Sequence, residues 1–321
     1  MARRLVLVPG RAQGGRSPQA LGTLCIDSLR KGMAKNHLHM PVAAADIRIA
    51  SYGDAFEDPL AATPAEQVAQ FIVRGRDAPS RERDFMLAML RQVAFAHGIT
   101  EGEIQQQAGR VEEDRNWDLV RRILQVLGTD RSASSAAREL EANRCAARAA
   151  TIAIAARDLY QYLFYRAVAD VVDDGMRAAM RGSESAVVVS HSLGTVVAFM
   201  TLNEATRFNS WNVPLLVTLG SPLAVTEIRR RLMPLKHPAC VGQWFNAMDA
   251  KDVVALYPLG GAGFPVERKI ENWTHVENFT DDHHGIEGYL EDRVVARRIY
   301  DALVSAEAPA VEGFVPARLR G

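Results

Sequence analysis

Short apolar runs near both ends of the chain predict strands of a buried sheet. Leu5-Val6-Leu7-Val8 is continuous, rich in valine and closed by Pro9-Gly10, which is typical of a parallel strand covered on both faces. The alternation that begins at Asp46 and ends at Tyr52 predicts a second strand. Further strands are predicted at 186–189, 213–219, 241–248 and 273–279.

Helical periodicity separates these runs. Helices are predicted at 19–35, 193–204, 225–232 and 286–305. Strands that alternate with helices indicate an α/β protein built on a mostly parallel, doubly wound sheet.

The middle of the chain has a different pattern, rich in Ala, Arg, Glu and Gln and poor in β-branched clusters. Amphipathic helices are predicted there at 64–75, 83–97, 114–127, 134–149 and 151–181. We therefore expect a sheet-bearing core at 1–59 and 183–306. A helical insertion, or cap, is expected at 60–182, ending in the helix before the strand at 186–189, and a loose tail at 307–321.

Composition narrows the classes of protein. The 321 residues hold 38 Lys+Arg and 38 Asp+Glu, so a polybasic nucleic-acid binder and an acidic tail are not expected. Cys25, Cys145 and Cys240 are far apart, which excludes a disulfide framework and a CxxC metal site and fits a reducing compartment.

Neither a secretory leader nor a membrane span of ~18 apolar residues is visible in the sequence. A cytoplasmic protein without a transmembrane segment is expected.

The chemistry is concentrated in Ser190-His-Ser192-Leu-Gly194, which joins the valine-rich strand at 186–189 to the following helix. This is the G-x-S-x-G nucleophile elbow with Ser190 in place of the first glycine. Small residues two before and two after the serine let strand and helix approach closely at a sharp turn. Ser192 is therefore the predicted nucleophile, and His191 is interpreted as structural.

A serine nucleophile needs a base, and the base needs an orienting carboxylate. In folds with this elbow the chain order is serine, acid, histidine. The loop after the strand at 241–248 offers Asp249 and Asp252. Asp249 suits an Asx turn, so Asp252 is favoured as the acid, with Asp249 as the alternative.

The loop before the last helix, Asp281-Asp282-His283-His284-Gly285, offers two bases. His284 is favoured because Gly285 leaves room for substrate, with His283 as the alternative. His275 falls in or before the last strand and is interpreted as a packed or surface residue. A metal site in this loop is the rival interpretation, and it is disfavoured because adjacent side chains rarely coordinate one ion well.

The oxyanion donors are expected to be backbone N–H groups, that of Leu193 after the nucleophile and that of Arg11 after the first strand. Gly14 and Gly15 lie in the same loop, but no G-K-[ST] or G-x-G-x-x-G pattern accompanies them. Neither a nucleotide or other cofactor nor a metal ion is expected.

These motifs together resemble the serine α/β-hydrolases, and within them the lipase-like serine esterases that include class 3 lipases and GPI inositol-deacylase-like proteins. The motifs that carry the resemblance are Val-Pro-Gly-Arg11, Ser-His-Ser-Leu-Gly194, Thr-Leu-Gly-Ser-Pro222, Trp244-x-Asn-x-x-Asp-x-x-Asp-Val and His-Gly-Ile-Glu-Gly-Tyr289-Leu. The resemblance covers about 5–53 and 183–305. It implies an α/β-hydrolase fold, a triad of Ser192, Asp252 and His284, and an insertion that forms a lid. Pro9 stands where such proteins usually have a histidine, and Val253 where a proline is common.

The expected activity is hydrolysis of a carboxylic ester, from a small molecule or a lipid, through an acyl-enzyme. Transient contact with a membrane surface is compatible with this. An acyltransferase with the same three residues, or an inactive binding or signalling module of the same fold, remains the alternative.

The insertion contains an aromatic set, Tyr160, Tyr162, Phe164 and Tyr165. This set is interpreted as helix core, with an acyl pocket or a lid hinge as the alternative.

Overall fold

The structure is a computed structural model of the chain. It describes residues 3–10, 18–52, 65–74, 79–105, 119–123, 135–183, 185–205 and 211–305. The predicted oxyanion donor Arg11 and the tail at 307–321 lie outside the described residues.

Six parallel strands form a single sheet in the order β2-β1-β3-β4-β5-β6. The strands are β1 Arg4–Val8, β2 Ile47–Ile49, β3 Ala186–His191, β4 Val213–Leu219, β5 Val241–Ala247 and β6 Glu271–Trp273. The predicted α/β class and parallel sheet are confirmed.

Helices connect and cover these strands. A short 3-10 helix, Ala44–Asp46, precedes β2. The α-helices are α1 Pro18–Ala34, α2 Ala65–Arg74, α3 Ser80–Ala96, α4 Glu101–Gln105, α5 Ser135–Phe164, α6 Arg166–Met180, α7 Leu193–Ala205, α8 Thr226–Leu232, α9 Ile286–Leu290 and α10 Arg293–Val304. Residues 119–123 are also helical.

Both faces of the sheet are buried, as the continuous apolar runs predict. Leu5 and Leu7 point into one hydrophobic cluster, and Val6 and Val8 into the other, because successive side chains of a strand face opposite ways. Helices α1, α9 and α10 supply the first cluster, and α6 and α7 supply the second. The sheet is therefore the middle layer of three.

The helices between β2 and β3 join the core of the sheet. Phe85 and Leu90 of α3 and Ile152 of α5 belong to the same cluster as Val6 and Val188. Helix α6 packs directly on β1, β2 and α7. The described part of the 60–182 region thus shares one continuous hydrophobic core with one face of the sheet.

Several predicted boundaries differ from the structure, most of all in the middle helices, the last helix and the last strand. The windows at 134–149 and 151–181 are instead divided at Tyr165, between α5 and α6. The last helix is divided because the Asp292 carboxylate accepts hydrogen bonds from the N–H groups of Val294 and Val295 and so caps α10. The last strand ends at Trp273, after which the chain bonds the loop beyond β5, with Val276 N–H donating to the Met248 carbonyl.

No helix in the described part of the chain has the length and apolar character needed to cross a membrane.

Candidate active site

Ser192 occupies the turn between β3 and α7 in a left-handed backbone conformation, with φ of 53°. Non-glycine residues seldom adopt this conformation, since Cβ crowds the following carbonyl oxygen. A Cβ at Gly194 would overlap the carbonyl oxygen of Val8 at the end of β1. Ser190 is held by its own hydroxyl, which donates to the Val217 carbonyl on β4 at 2.8 Å. The small residues around Ser192 therefore let α7 begin against the ends of β1 and β3.

The turn lies where the strand order reverses. The chain runs from β1 outward to β2 and then returns to the other side of β1 as β3. In open parallel sheets, ligands bind in the crevice outside the carboxyl ends of the strands at this position. Gly10 follows β1 so closely that a Cβ there would lie 2.9 Å from the Ser192 Cβ. Ser192 thus sits at the crevice that the topology creates.

A hydrogen-bonded chain joins Ser192, His284 and Asp252. His284 Nε2 lies 2.8 Å from Ser192 Oγ, and His284 Nδ1 lies 2.8 Å from Asp252 Oδ2. Because a carboxylate only accepts, Nδ1 carries the proton, which leaves Nε2 free to accept from the serine hydroxyl. The three residues follow β3, β6 and β5, and the carboxyl ends of parallel strands meet at one edge of the sheet.

Asp252 is fixed by four donors. Its Oδ1 accepts from the N–H groups of Val254, at 2.7 Å, and Ala255, at 3.1 Å. Its Oδ2 accepts from His284 and from the Tyr289 hydroxyl, which lies at 2.6 Å. The carboxylate is only 1% exposed, so these bonds replace the water that it loses on folding.

The surroundings of His284 favour its protonated form. Burial alone would lower the pKa of the ring, but the charge and hydrogen bond of Asp252 outweigh burial and hold the pKa above its ordinary value. The nearby Asp282 carboxylate acts in the same direction. A histidine in this setting can take a proton from Ser192 and hold it beside a fixed negative charge.

The alternative acid and base form a separate pair. Asp249 accepts from the N–H groups of Lys251 and Asn278, both at 2.7 Å, in the Asx-type turn that was predicted for it. His283 Nδ1 donates to the Asn278 carbonyl at 2.9 Å and lies 3.4 Å from Asp249. Burial raises the pKa of Asp249, but the hydrogen bonds from His283 and the backbone outweigh it and lower the pKa. The structure brings neither residue to Ser192.

Side chains of the histidine loop diverge, which disfavours a shared metal ion. Asp281 lies 3.8 Å from Arg144. Asp282 accepts from Thr151 at 2.7 Å, from Thr280 at 2.9 Å and from the N–H of His284 at 3.0 Å. In the described residues no group of three His, Cys, Asp or Glu side chains could hold a metal ion.

His191 supports the backbone of His284. Its Nε2–H donates to the His284 carbonyl at 2.7 Å, and the two rings are 4.8 Å apart. Burial and the neighbouring His284 lower the pKa of His191 to about 3, so this ring is neutral at physiological pH. His275, in contrast, is exposed and packs edge-on against Trp273.

A cleft opens over Ser192 between the sheet edge and helix α5. Leu193, the predicted oxyanion donor within the described residues, begins α7, where helical N–H groups have no intrahelical partner. The described residues that line the cleft are Pro9, Gly10, Leu21, Thr151, Ile154, Ala155, Asp158, His191, Ser192, Leu193, His284, Ile286 and Glu287.

The aromatic set at the junction of α5 and α6 is not among the described residues that line the cleft. Tyr160 stacks on Phe164 and contacts Phe85 and Tyr165 through their rings. Tyr162 is buried and donates to Asp173 at 2.7 Å. Tyr160 and Tyr162 are buried between helices, as the core interpretation predicts, whereas Phe164 and Tyr165 are each 43% exposed.

Three contributors were not assigned from the sequence. The sequence motif that holds Tyr289 assigns it no role, the pattern around Asp282 indicates only a possible metal ligand, and no pattern marks Thr151. The position of Asp282 two residues before His284 is a sequence signal for an Asx-type turn. The contact from Thr151 comes from a distant helix, and no local pattern reveals it.

Comparison of the chain with protein families, with curated proteins and with solved structures finds no match.

Proposed function

We propose that the protein is a serine hydrolase of the α/β-hydrolase fold that cleaves a carboxylic ester. The observation that carries the proposal is the continuous hydrogen-bonded chain from Ser192 through His284 to the buried Asp252. Serine, histidine and aspartate in this geometry and protonation are what nucleophilic acyl transfer requires.

Each group has a defined step in the proposed reaction. Ser192 Oγ attacks the ester carbonyl carbon while its proton passes to His284 Nε2, and Asp252 stabilises the imidazolium that forms. The tetrahedral intermediate collapses when His284 gives that proton to the departing alkoxide, which leaves as an alcohol. Water, deprotonated by His284, then attacks the acyl-serine carbonyl, the bond to Ser192 Oγ breaks, and His284 returns the proton to Oγ as the acid is released.

The developing negative charge on the carbonyl oxygen also needs donors. Leu193 is the first residue of α7, so its N–H lies at the positive end of the helix dipole, which strengthens its interaction with a negatively charged oxygen. Arg11 is proposed as the second donor because Gly10, immediately before it, lies against Ser192.

The sheet order and the cleft support the same proposal. The elbow lies at the position where open α/β sheets bind ligands, and the motifs there are those that resemble lipase-like serine esterases. Leu21, Ile154 and Ile286 give the cleft an apolar side, which suits the acyl chain of an ester.

A fluorophosphonate probe tests the proposal directly. We expect wild-type protein to be labelled and Ser192→Ala not to be, with ester hydrolysis reduced about 10⁶-fold in the variant. Ser190→Ala is the matched control, since its hydroxyl is committed to the Val217 carbonyl and labelling should persist. Equal labelling of Ser192→Ala and wild type would refute the proposal.

A further inference from the structure

Tyr289 lies beneath the acid of the proposed site and is fully buried in α9. Its hydroxyl donates to Asp252 Oδ2 at 2.6 Å and accepts from the N–H of Asp249 at 3.1 Å. The single hydroxyl therefore holds two points of the loop that follows β5.

The oxygen that Tyr289 contacts is the one that faces His284. Asp252 Oδ1 is already occupied by two backbone N–H groups. Without the phenol, Oδ2 would keep only its bond to His284 among the described residues, and the two N–H groups on Oδ1 would have to hold the carboxylate against rotation. At 2.6 Å the bond has the length expected of a charge-assisted O–H···O⁻ bond, so it both orients the carboxylate and withdraws charge from it.

Tyr289 also couples the acid to the base through the chain. Helix α9 begins two residues after His284, while Asp249 and Asp252 belong to the segment after β5. The phenol bridges these two segments. Its ring lies 5.9 Å from that of His191, which in turn holds the His284 carbonyl.

We propose that Tyr289 is a positioning residue, whose hydroxyl fixes Asp252 against His284 and moderates the negative charge that the histidine experiences. This inference rests on the proposed function for its kinetic consequence. Its structural part, control of the protonation of His284 by Tyr289, does not depend on which substrate is used.

Removal of the hydroxyl leaves the other titratable groups near His284 in place. These neighbours are Asp252, Asp282 and His191 around the ring, Asp158 and Glu287 in the cleft that the ring lines, and His97, Asp249 and His283 around the acid and its loop. Without the hydrogen bond from the phenol, the negative charge of Asp252 interacts more strongly with His284 Nδ1, which favours the imidazolium. The pKa of His284 in Tyr289→Phe should therefore be higher than in the wild type.

Tyr162→Phe is the matched control. It removes the same hydroxyl from another buried tyrosine that donates to a buried aspartate, Asp173, at 2.7 Å. Both variants should lose stability to denaturant. Only Tyr289→Phe should move the acid limb of the kcat/KM profile to higher pH, and it should lower kcat/KM at neutral pH about tenfold.

Histidine ¹⁵N NMR provides the readout that does not need activity. The His284 signal, identified by its loss in His284→Asn, should titrate at higher pH in Tyr289→Phe than in wild type or Tyr162→Phe. If Tyr289→Phe fails to fold, 3-fluorotyrosine at position 289 replaces it; its more acidic phenol donates more strongly and should shift the titration to lower pH.

The outcomes separate the two proposals. An unchanged His284 titration and pH profile in Tyr289→Phe, with a loss of stability like that of Tyr162→Phe, would overturn the role of Tyr289 while Ser192-dependent labelling stands. Labelling that does not depend on Ser192 would overturn the hydrolase proposal, and the NMR titration would still decide whether Tyr289 governs His284.

Discussion

At the scale of single residues, the site depends on a serine that the backbone holds in an unfavourable conformation. Ser192 has φ of 53°, and left-handed geometry costs a residue with a Cβ roughly 1–2 kcal/mol. Packing around the turn sustains it, since α7 starts against the end of β1. Part of the folding free energy is thus stored at the residue proposed to react.

Substitution at Ser192 should reveal this strain. We expect Ser192→Gly to be more stable than Ser192→Ala by about 1 kcal/mol, because glycine adopts positive φ without a Cβ penalty. Both variants lack the hydroxyl, so the lost bond to His284 cancels in the comparison. Urea unfolding measures the difference, and an Ala variant as stable as the Gly variant would contradict the strain.

The need for small residues near Ser192 could be predicted, but its full cause could not. The elbow pattern indicates a tight turn after β3. The actual constraint on Gly194 is the carbonyl of Val8, in a strand at the other end of the sequence. Ser190 likewise bonds β4 and not the turn itself. The local sequence indicates that a small residue is needed at these positions. The groups that these residues contact depend on which strands become neighbours in the sheet.

At the scale of elements, the strands were predictable and the loops around the site were only partly so. Central strands such as β3 and β4 are continuous apolar runs, so burial on both faces identifies them. The edge strand β6 has only three residues and no buried side chains to mark it. The segment after it is fixed instead by hydrogen bonds to the loop after β5.

A buried side-chain hydrogen bond ties helix α5 to the histidine loop. The Thr151 hydroxyl donates to Asp282 Oδ2, and Asp282 Oδ1 accepts from the N–H of His284. The helix that roofs the cleft is therefore coupled to the position of the proposed base.

Thr151→Val should weaken that coupling. Valine keeps the shape but leaves Asp282 Oδ2 without its hydroxyl donor, which we expect to lower the free energy of unfolding by about 1–3 kcal/mol. The rate of probe labelling should fall as well, since the His284 loop is less constrained. Thr23→Val is the control, because the Thr23 hydroxyl donates to the Gln19 carbonyl of its own helix at an exposed position. Equal stability of Thr151→Val and Thr23→Val would contradict the coupling.

At the scale of the whole molecule, the sheet order brings together residues that are remote in sequence. The elements could be predicted from the sequence, and so could the choice of Ser192, Asp252 and His284 as residues that the fold brings together. The strand order that makes β1 and β3 neighbours could not be read from a single sequence. For the same reason, the contacts of Thr151 and Tyr289 emerge only from the assembled fold.

Stability should depend on pH through His191. Its pKa is about 3 in the folded protein, against roughly 6.5 when unfolded. Below pH 6.5 the unfolded chain binds the additional proton, so this residue removes stability as the pH falls, by about 2 kcal/mol between pH 7 and pH 5.

His191→Gln tests this, because the amide can still donate to the His284 carbonyl but does not titrate. From pH 7 to pH 5, the variant should gain about 2 kcal/mol relative to wild type in urea unfolding. His39→Gln, at an exposed position, is the control and should follow the wild type. Parallel pH dependence of His191→Gln and wild type would show that His191 does not contribute in this way.

The pairing of β1 with β3 also has a kinetic consequence. Leu5 pairs with Val187, and the segments that pass between them include the whole of α5. Contacts between such distant positions require the closure of a long loop before they stabilise the chain, and topologies rich in them fold slowly. Ser192 can meet Gly10 and its crevice only after this closure. A chain that has formed its helices and the β4–β5 pair would already have a native-like helical content. It would still lack the crevice around Ser192.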